Sequence, residues 1–166
     1  MKNLTLLVGI PASGKSTWRA ANVTADTVVI STDDMIEMAA LSVGKTYNDV
    51  FSEVVDAATS AMNTLFRQSL KTGANIVIDR TNLTPKSRAQ WIREARNAGY
   101  WIEAVVFKRP QTQAEHDEWN RRLDRPGKTI PTPVLVDMYC SFKAPTLDEV
   151  DAFNTLDSYR EIAVGS

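Results

Sequence analysis

Residues Gly9 to Thr17 read Gly-Ile-Pro-Ala-Ser-Gly-Lys-Ser-Thr, the complete G-x-x-x-x-G-K-[ST] pattern of a phosphate-binding loop. Such a loop works only between a strand and a helix, so it restricts the fold around it. Its glycines let the backbone turn until successive N–H groups converge on a polyphosphate. The helix behind it adds the positive end of its dipole. Both flanking elements are legible: Lys2 to Val8 is a short apolar run of strand character, and Ser16 to Ala21 can open a helix. Gly9, Pro11, Ala12, Ser13, Gly14, Lys15, Ser16 and Thr17 are therefore the expected binding residues for ATP. Lys15 places a charge at the β/γ-phosphates, and the Ser16 hydroxyl is positioned to ligate Mg²⁺.

The rest of the chain extends the same alternation. Apolar stretches rich in β-branched residues recur at 4–8, 27–30, 75–78 and 104–107, each followed by a polar or helical segment. That order predicts an α/β fold, a three-layer sandwich with a parallel sheet of about four to five strands flanked by helices. The amphipathic spacing of Phe51, Val54, Val55, Ala58, Met62, Leu65, Phe66 and Leu70 predicts a long helix over 48–71, stopped by Gly73. Thr84 and Pro85 mark the start of another helix that ends before Gly99. Polar residues 111–123 and apolar residues 134–142 predict two more. Beyond Pro145 the expectation is a short acidic helix and a loose tail.

At 166 residues and 43% hydrophobic content, the chain suits one domain with a full core. The single Cys140 excludes an intrachain disulfide and suggests a reducing, cytoplasmic setting. No apolar run reaches the length of a membrane span, and no N-K-x-D pattern suggests guanine selection. The net charge of −1 argues against a surface that coats nucleic acid but allows a local basic groove. Between Arg19 and Arg67 the one cation is Lys45, whereas cations cluster from Arg80 to Lys128. An anionic polymer should meet that second half.

Three further clusters carry chemistry. The second strand ends at Asp33-Asp34, and ligands of open α/β sheets sit beyond the carboxyl ends of strands. A carboxylate there can accept the proton of an attacking hydroxyl or hold Mg²⁺, or simply cap the next helix. The third strand ends at Asp79, the usual place for a magnesium-associated carboxylate. Arg80, Thr81 and Asn82 follow as candidate substrate contacts, together with Asp34, with an Asx-type turn as the plainer role for Asn82. Arg121 and Arg125 stand four apart, so a continuous helix would present both on one face, suited to a lid that closes on transferring phosphates. Ordinary ion pairs with Asp124 are the alternative. The one histidine, His116, has no partner spacing and is expected to be exposed.

Taken together, Gly9–Trp18, Asp33-Asp34, Asp79–Pro85, Arg121 with Arg125, Ile130–Tyr139 and Ser141–Glu149 resemble the kinase domain of polynucleotide 5′-hydroxyl kinases of the bacteriophage and mammalian end-repair type. The resemblance covers about residues 1–150 and implies a P-loop kinase domain with a lid near 110–130. Residues 151–166 are left as a tail, part of the same domain or partly disordered. It implies ATP and Mg²⁺ as cofactors, nucleic acid as acceptor, Asp33 as general base, Arg125 as the transition-state arginine and Arg121 as a nucleotide contact. Lys15 and Ser16 would hold phosphates and metal, and Asp79 to Asn82 would line the acceptor side.

One departure bears on the acceptor. The phage enzyme carries an arginine three residues after its catalytic aspartate, whereas Asp33 is followed by Asp34, Met35, Ile36 and Glu37. Arg80 could compensate. Alternatively, the acceptor is a 5-hydroxymethyl pyrimidine base, as in the hypermodified DNA of some phages, or a small molecule. A module that binds ATP without transferring phosphate would need neither the acidic pair nor the lid arginines.

Overall fold

The computed structural model describes residues 1–165. Its centre is a five-stranded, all-parallel sheet of β1 (Asn3–Val8), β2 (Val28–Ile30), β3 (Ile76–Asp79), β4 (Trp101–Phe107) and β5 (Ala152–Leu156). The spatial order is β2-β3-β1-β4-β5, which puts the phosphate loop at the end of the central strand. Helices cover both faces, so the middle strands read as apolar runs rather than as alternating ones. On one face Leu4, Leu6, Val8, Ile78 and Ile102 pack against Met62 and Phe66 of α3 (Tyr47–Thr72) and Trp91 of α4 (Pro85–Asn97). Phe66 and Trp91 meet edge to face at 4.8 Å, a favourable aromatic geometry. On the other face Leu7, Val77, Val105 and Phe107 pack under Trp18 of α1 (Lys15–Asn22).

Local signals set the helix ends. Thr84 accepts a hydrogen bond from the Ser87 N–H and Pro85 occupies the first turn, so α4 starts where predicted. Gly73 closes α3 at φ 73°. The helix after β2, α2 (Thr32–Ser42), is capped by Ser31, whose side chain accepts from the Asp34 N–H. Capping is therefore not the task of Asp33, which leaves its carboxylate free to face the cleft.

Two expectations fail in the C-terminal half. The acidic helix expected after Pro145 is replaced by β5, which pairs in parallel with β4 from Glu103–Ala152 to Phe107–Leu156. Residues 152–156 thus belong to the same sheet, followed by the short α7 (Arg160–Gly165). His116 is not idle. It is half-buried on α5 (Gln113–Leu123), with its ring 5.6 Å from Tyr139 of α6 (Thr132–Ser141) and 6.1 Å from Trp119. Among the described residues no helix is long and apolar enough to cross a membrane.

One ionic cluster ties distant segments together. Arg88, fully buried on α4, makes a two-pronged pair with the Glu149 carboxylate at 3.0 and 3.1 Å. Its remaining terminal nitrogen donates to the carbonyls of Asn82 and Lys143. Charge and hydrogen-bonding capacity are both satisfied, as burial of a guanidinium demands.

Candidate active site

The phosphate loop requires its glycines for steric reasons. A Cβ at Gly9 would lie 2.5 Å from the Ser13 hydroxyl oxygen and 3.0 Å from Phe107. Gly14 sits at φ 107°, where a side chain is strained, and a Cβ there would meet Ser158 at 2.9 Å. Ala12 also takes a left-handed conformation, φ 61°, which helps curl the loop. The Gly9 N–H donates to the Thr81 carbonyl at 3.0 Å, stitching the loop to the turn after β3.

Lys15 folds back and donates to the Gly9 carbonyl at 2.8 Å. Desolvation in this cup pulls its pKa down to about 8, although Asp79 and Asp33 draw it back up. A bound polyphosphate favours the charged form and raises that pKa. Affinity for ATP should therefore be full below about pH 8 and fall as pH rises through that value, by at most about tenfold per unit. Titration of ATP affinity from about pH 7.5 to about pH 9.5 checks this; a flat profile would refute the depressed pKa.

The loop opens into a cleft of about 1230 Å³ that also receives Asp33, Asp34, Asp79, Arg80 and Thr81. Asp33 accepts from the Tyr47 hydroxyl at 2.8 Å and pairs with Lys128 at 3.4 Å. Burial, followed by the hydrogen bond to Asp33, pushes the Tyr47 pKa upward and keeps it a donor. Arg19 of α1 bridges Asp34 at 2.5 Å and Asp79 at 3.0 Å, fixing two of the three carboxylates. The segment 124–131 crosses toward α2 and α3. There Arg125 lies 3.4 Å and Lys128 2.9 Å from Glu37, and the Asn48 N–H donates to the Gly127 carbonyl.

Magnesium prefers oxygen donors and keeps water and substrate phosphates as ligands. The Ser16 hydroxyl and the Asp33 and Asp79 carboxylates all line this cleft, so the donor set fits the ion. Among the described residues no group of three His, Cys, Asp or Glu side chains forms a cage by itself. Phosphate and water would complete the shell.

Two expected contacts are corrected. Asn82 is 3% exposed and holds φ 49°; its side-chain amide donates to the carbonyls of Leu7 at 2.8 Å and Ile78 at 3.3 Å. It shapes the turn after β3 and does not line the cleft. Arg121 and Arg125 do not share a helical face, because α5 ends at Leu123 and Asp124 leaves the helical region at ψ 82°. Arg121, with 68% of its side chain exposed, turns to Glu118 and does not line the cleft. Its neighbour Arg122 does, together with Arg125 and Lys128. Arg122, Arg19 and Tyr47 join the site without a motif that marks them, and Lys128 stands out only as the end of the cation-rich stretch. For Arg122 a signal existed: it lies three residues beyond Trp119, on the face of α5 that packs against the loop.

The comparisons agree with this fold. A family described as an AAA domain matches residues 4–145, most of the chain. The chain belongs to that family. It is a P-loop kinase-type AAA domain, and the match takes in the G-x-x-x-x-G-K-[ST] pattern at Gly9–Thr17. It is 25% identical over 148 residues to the bifunctional polynucleotide phosphatase/kinase of Schizosaccharomyces pombe, covering 89% of this chain but 31% of that protein. The chain thus spans under a third of the length of that relative. The fold matches a putative kinase from Chloroflexus aurantiacus with a TM-score of 0.66, at 16% identity over 94% of this chain and 88% of the other. A sugar kinase from Janibacter sp. HTCC2649 shares the fold with a TM-score of 0.56, at 15% identity over 99% and 92%.

Proposed function

We propose that this AAA domain transfers the γ-phosphate of ATP to a hydroxyl of nucleic acid, with the 5′-OH end of DNA or RNA as acceptor. The observation that carries this reading is the opposition of Asp33 to the phosphate loop across one cleft, with the Arg125 segment bridging its walls. The acceptor oxygen attacks the γ-phosphorus, its proton passes to an Asp33 carboxylate oxygen, and the bond to the β-bridging oxygen breaks to release ADP. Lys15 and the loop N–H groups hold the β- and γ-phosphates, and Arg125 stabilises charge on the transferring group. Ser16 and Asp79 would hold magnesium, which when bound would supply further neutralisation of the phosphate oxygens. Similarity to part of a polynucleotide kinase supports the choice of acceptor.

A second reading has a specific observation behind it. Ile36, three residues after Asp33, is buried, and Glu37 beside it lines the cleft. With no cation at that position, and with Arg125 and Lys128 paired to Glu37, the cleft suits an acceptor hydroxyl with no adjacent phosphate, such as a 5-hydroxymethyl group on a pyrimidine base. Offering γ-labelled ATP with a 5′-OH oligonucleotide, a 5′-phosphorylated one and one containing 5-hydroxymethyluracil separates the readings. Label on the first alone supports end phosphorylation, and label on the third alone supports the base. No label on any of them moves the acceptor to a small molecule.

Arg80 is exposed at the cleft rim and is the cation nearest to Asp79 and Thr81 in sequence. Arg80→Ala should weaken oligonucleotide binding and reduce the slope of log affinity against log salt by about 1. An unchanged slope removes Arg80 from the acceptor surface.

A further inference from the structure

The carbonyl groups of three consecutive loop residues are each held from outside by a side chain that lies far away in the sequence. Trp119 Nε1 donates to the Pro11 carbonyl at 2.8 Å. Arg122 Nη1 and the Tyr159 hydroxyl both donate to the Ala12 carbonyl at 3.3 Å. The Ser158 hydroxyl donates to the Ser13 carbonyl at 2.8 Å. Arg122 also locks Ser158 itself, reaching its hydroxyl at 2.9 Å and its carbonyl at 3.1 Å, while the guanidinium lies 4.5 Å from the centre of the buried Tyr159 ring.

In a trans peptide the C=O and the following N–H point in opposite directions. Holding the carbonyls of Pro11, Ala12 and Ser13 outward therefore turns the N–H groups of Ala12, Ser13 and Gly14 inward, where a polyphosphate needs them. A cationic donor on the outer carbonyl also polarises the peptide and strengthens its inward N–H as a donor. We propose that Arg122, acting with Ser158, is a positioning residue for polyphosphate binding: it presets the inward N–H groups of the loop without touching the nucleoside. The proposal rests on the assignment of Gly9–Thr17 as the nucleotide loop.

The test uses two probes, ATP and inorganic tripolyphosphate, with Arg122→Ala, Ser158→Ala and, as a control, Arg93→Ala on the exposed side of α4. Arg122→Ala should weaken both probes alike, by about tenfold, the loss typical of a charge-assisted hydrogen bond. Ser158→Ala should weaken both by a few-fold, and Arg93→Ala neither. In the steady state KM for ATP should rise with the loss of affinity while KM for the acceptor stays unchanged, a split that general destabilisation would not produce. If Arg122→Ala weakens ATP but not tripolyphosphate, the residue contacts the nucleoside and the proposal falls. If neither probe is affected, the network is packing alone and the proposal falls too. Should Arg122→Ala fail to fold, Ser158→Ala decides, and an unchanged affinity there overturns the idea. A wild-type protein that binds neither probe would instead condemn the assignment of the loop.

Discussion

Lys15→Ala should lower phosphoryl-transfer turnover by about 10²-fold or more, comparable to the loss of one strong transition-state donor. Lys15 sits at the bottom of the cleft, tethered to the Gly9 carbonyl and flanked by Asp33 and Asp79. Its ammonium is the positive charge built into the loop itself, and the one further cation on α1 is Arg19. Arg19, one turn further on, is already engaged by Asp34 and Asp79. The truncation removes a charge without opening the core, so far-UV circular dichroism should be unchanged while turnover collapses. Near-normal transfer by a folded Lys15→Ala protein would refute the role of the loop.

Asp33→Asn should separate binding from chemistry. The amide oxygen can still accept from the Tyr47 hydroxyl, and Ser31 rather than Asp33 caps α2, so the backbone has no reason to shift. An amide cannot take a proton from an attacking hydroxyl, so the single-turnover rate should fall by about 10²-fold or more, as expected on loss of a general base. Nucleotide affinity should stay within a few-fold of wild type, since the phosphates are held by the loop. Equilibrium titration and single-turnover kinetics measure the two quantities separately. Parallel loss of both would reassign Asp33 to metal binding.

The features legible in the sequence are those written locally. The loop, the Thr84–Pro85 start of α4 and the Gly73 stop of α3 each depend on a few adjacent residues, and each stands where the pattern places it. The fifth strand was hidden because Ala-Phe-Asn-Thr-Leu lies at the sheet edge, with Phe153, Asn154 and Thr155 exposed. One-sided burial removes the apolar run that marks the inner strands. The arginine assignment failed for a different reason. Spacing by four assumes a continuous helix, and Asp124 breaks it between Arg121 and Arg125. Asn82 illustrates a third limit: a polar residue after a strand reads as a substrate contact until its amide is seen spending its donors on the Leu7 and Ile78 carbonyls.

The pairing of Arg88 with Glu149 sets a lower bound on how short a working recombinant fragment can be. Cutting the chain at Pro145 would retain the loop, Asp33, Asp34, Asp79 and Arg125, and would look complete by its motifs. It would also strand a fully buried guanidinium without its carboxylate, a loss of about 3–5 kcal/mol, and bare the edge of β4 that β5 now covers. Such a fragment should express as aggregate rather than as a weak enzyme, so boundaries for crystallisation or domain fusion belong beyond Tyr159.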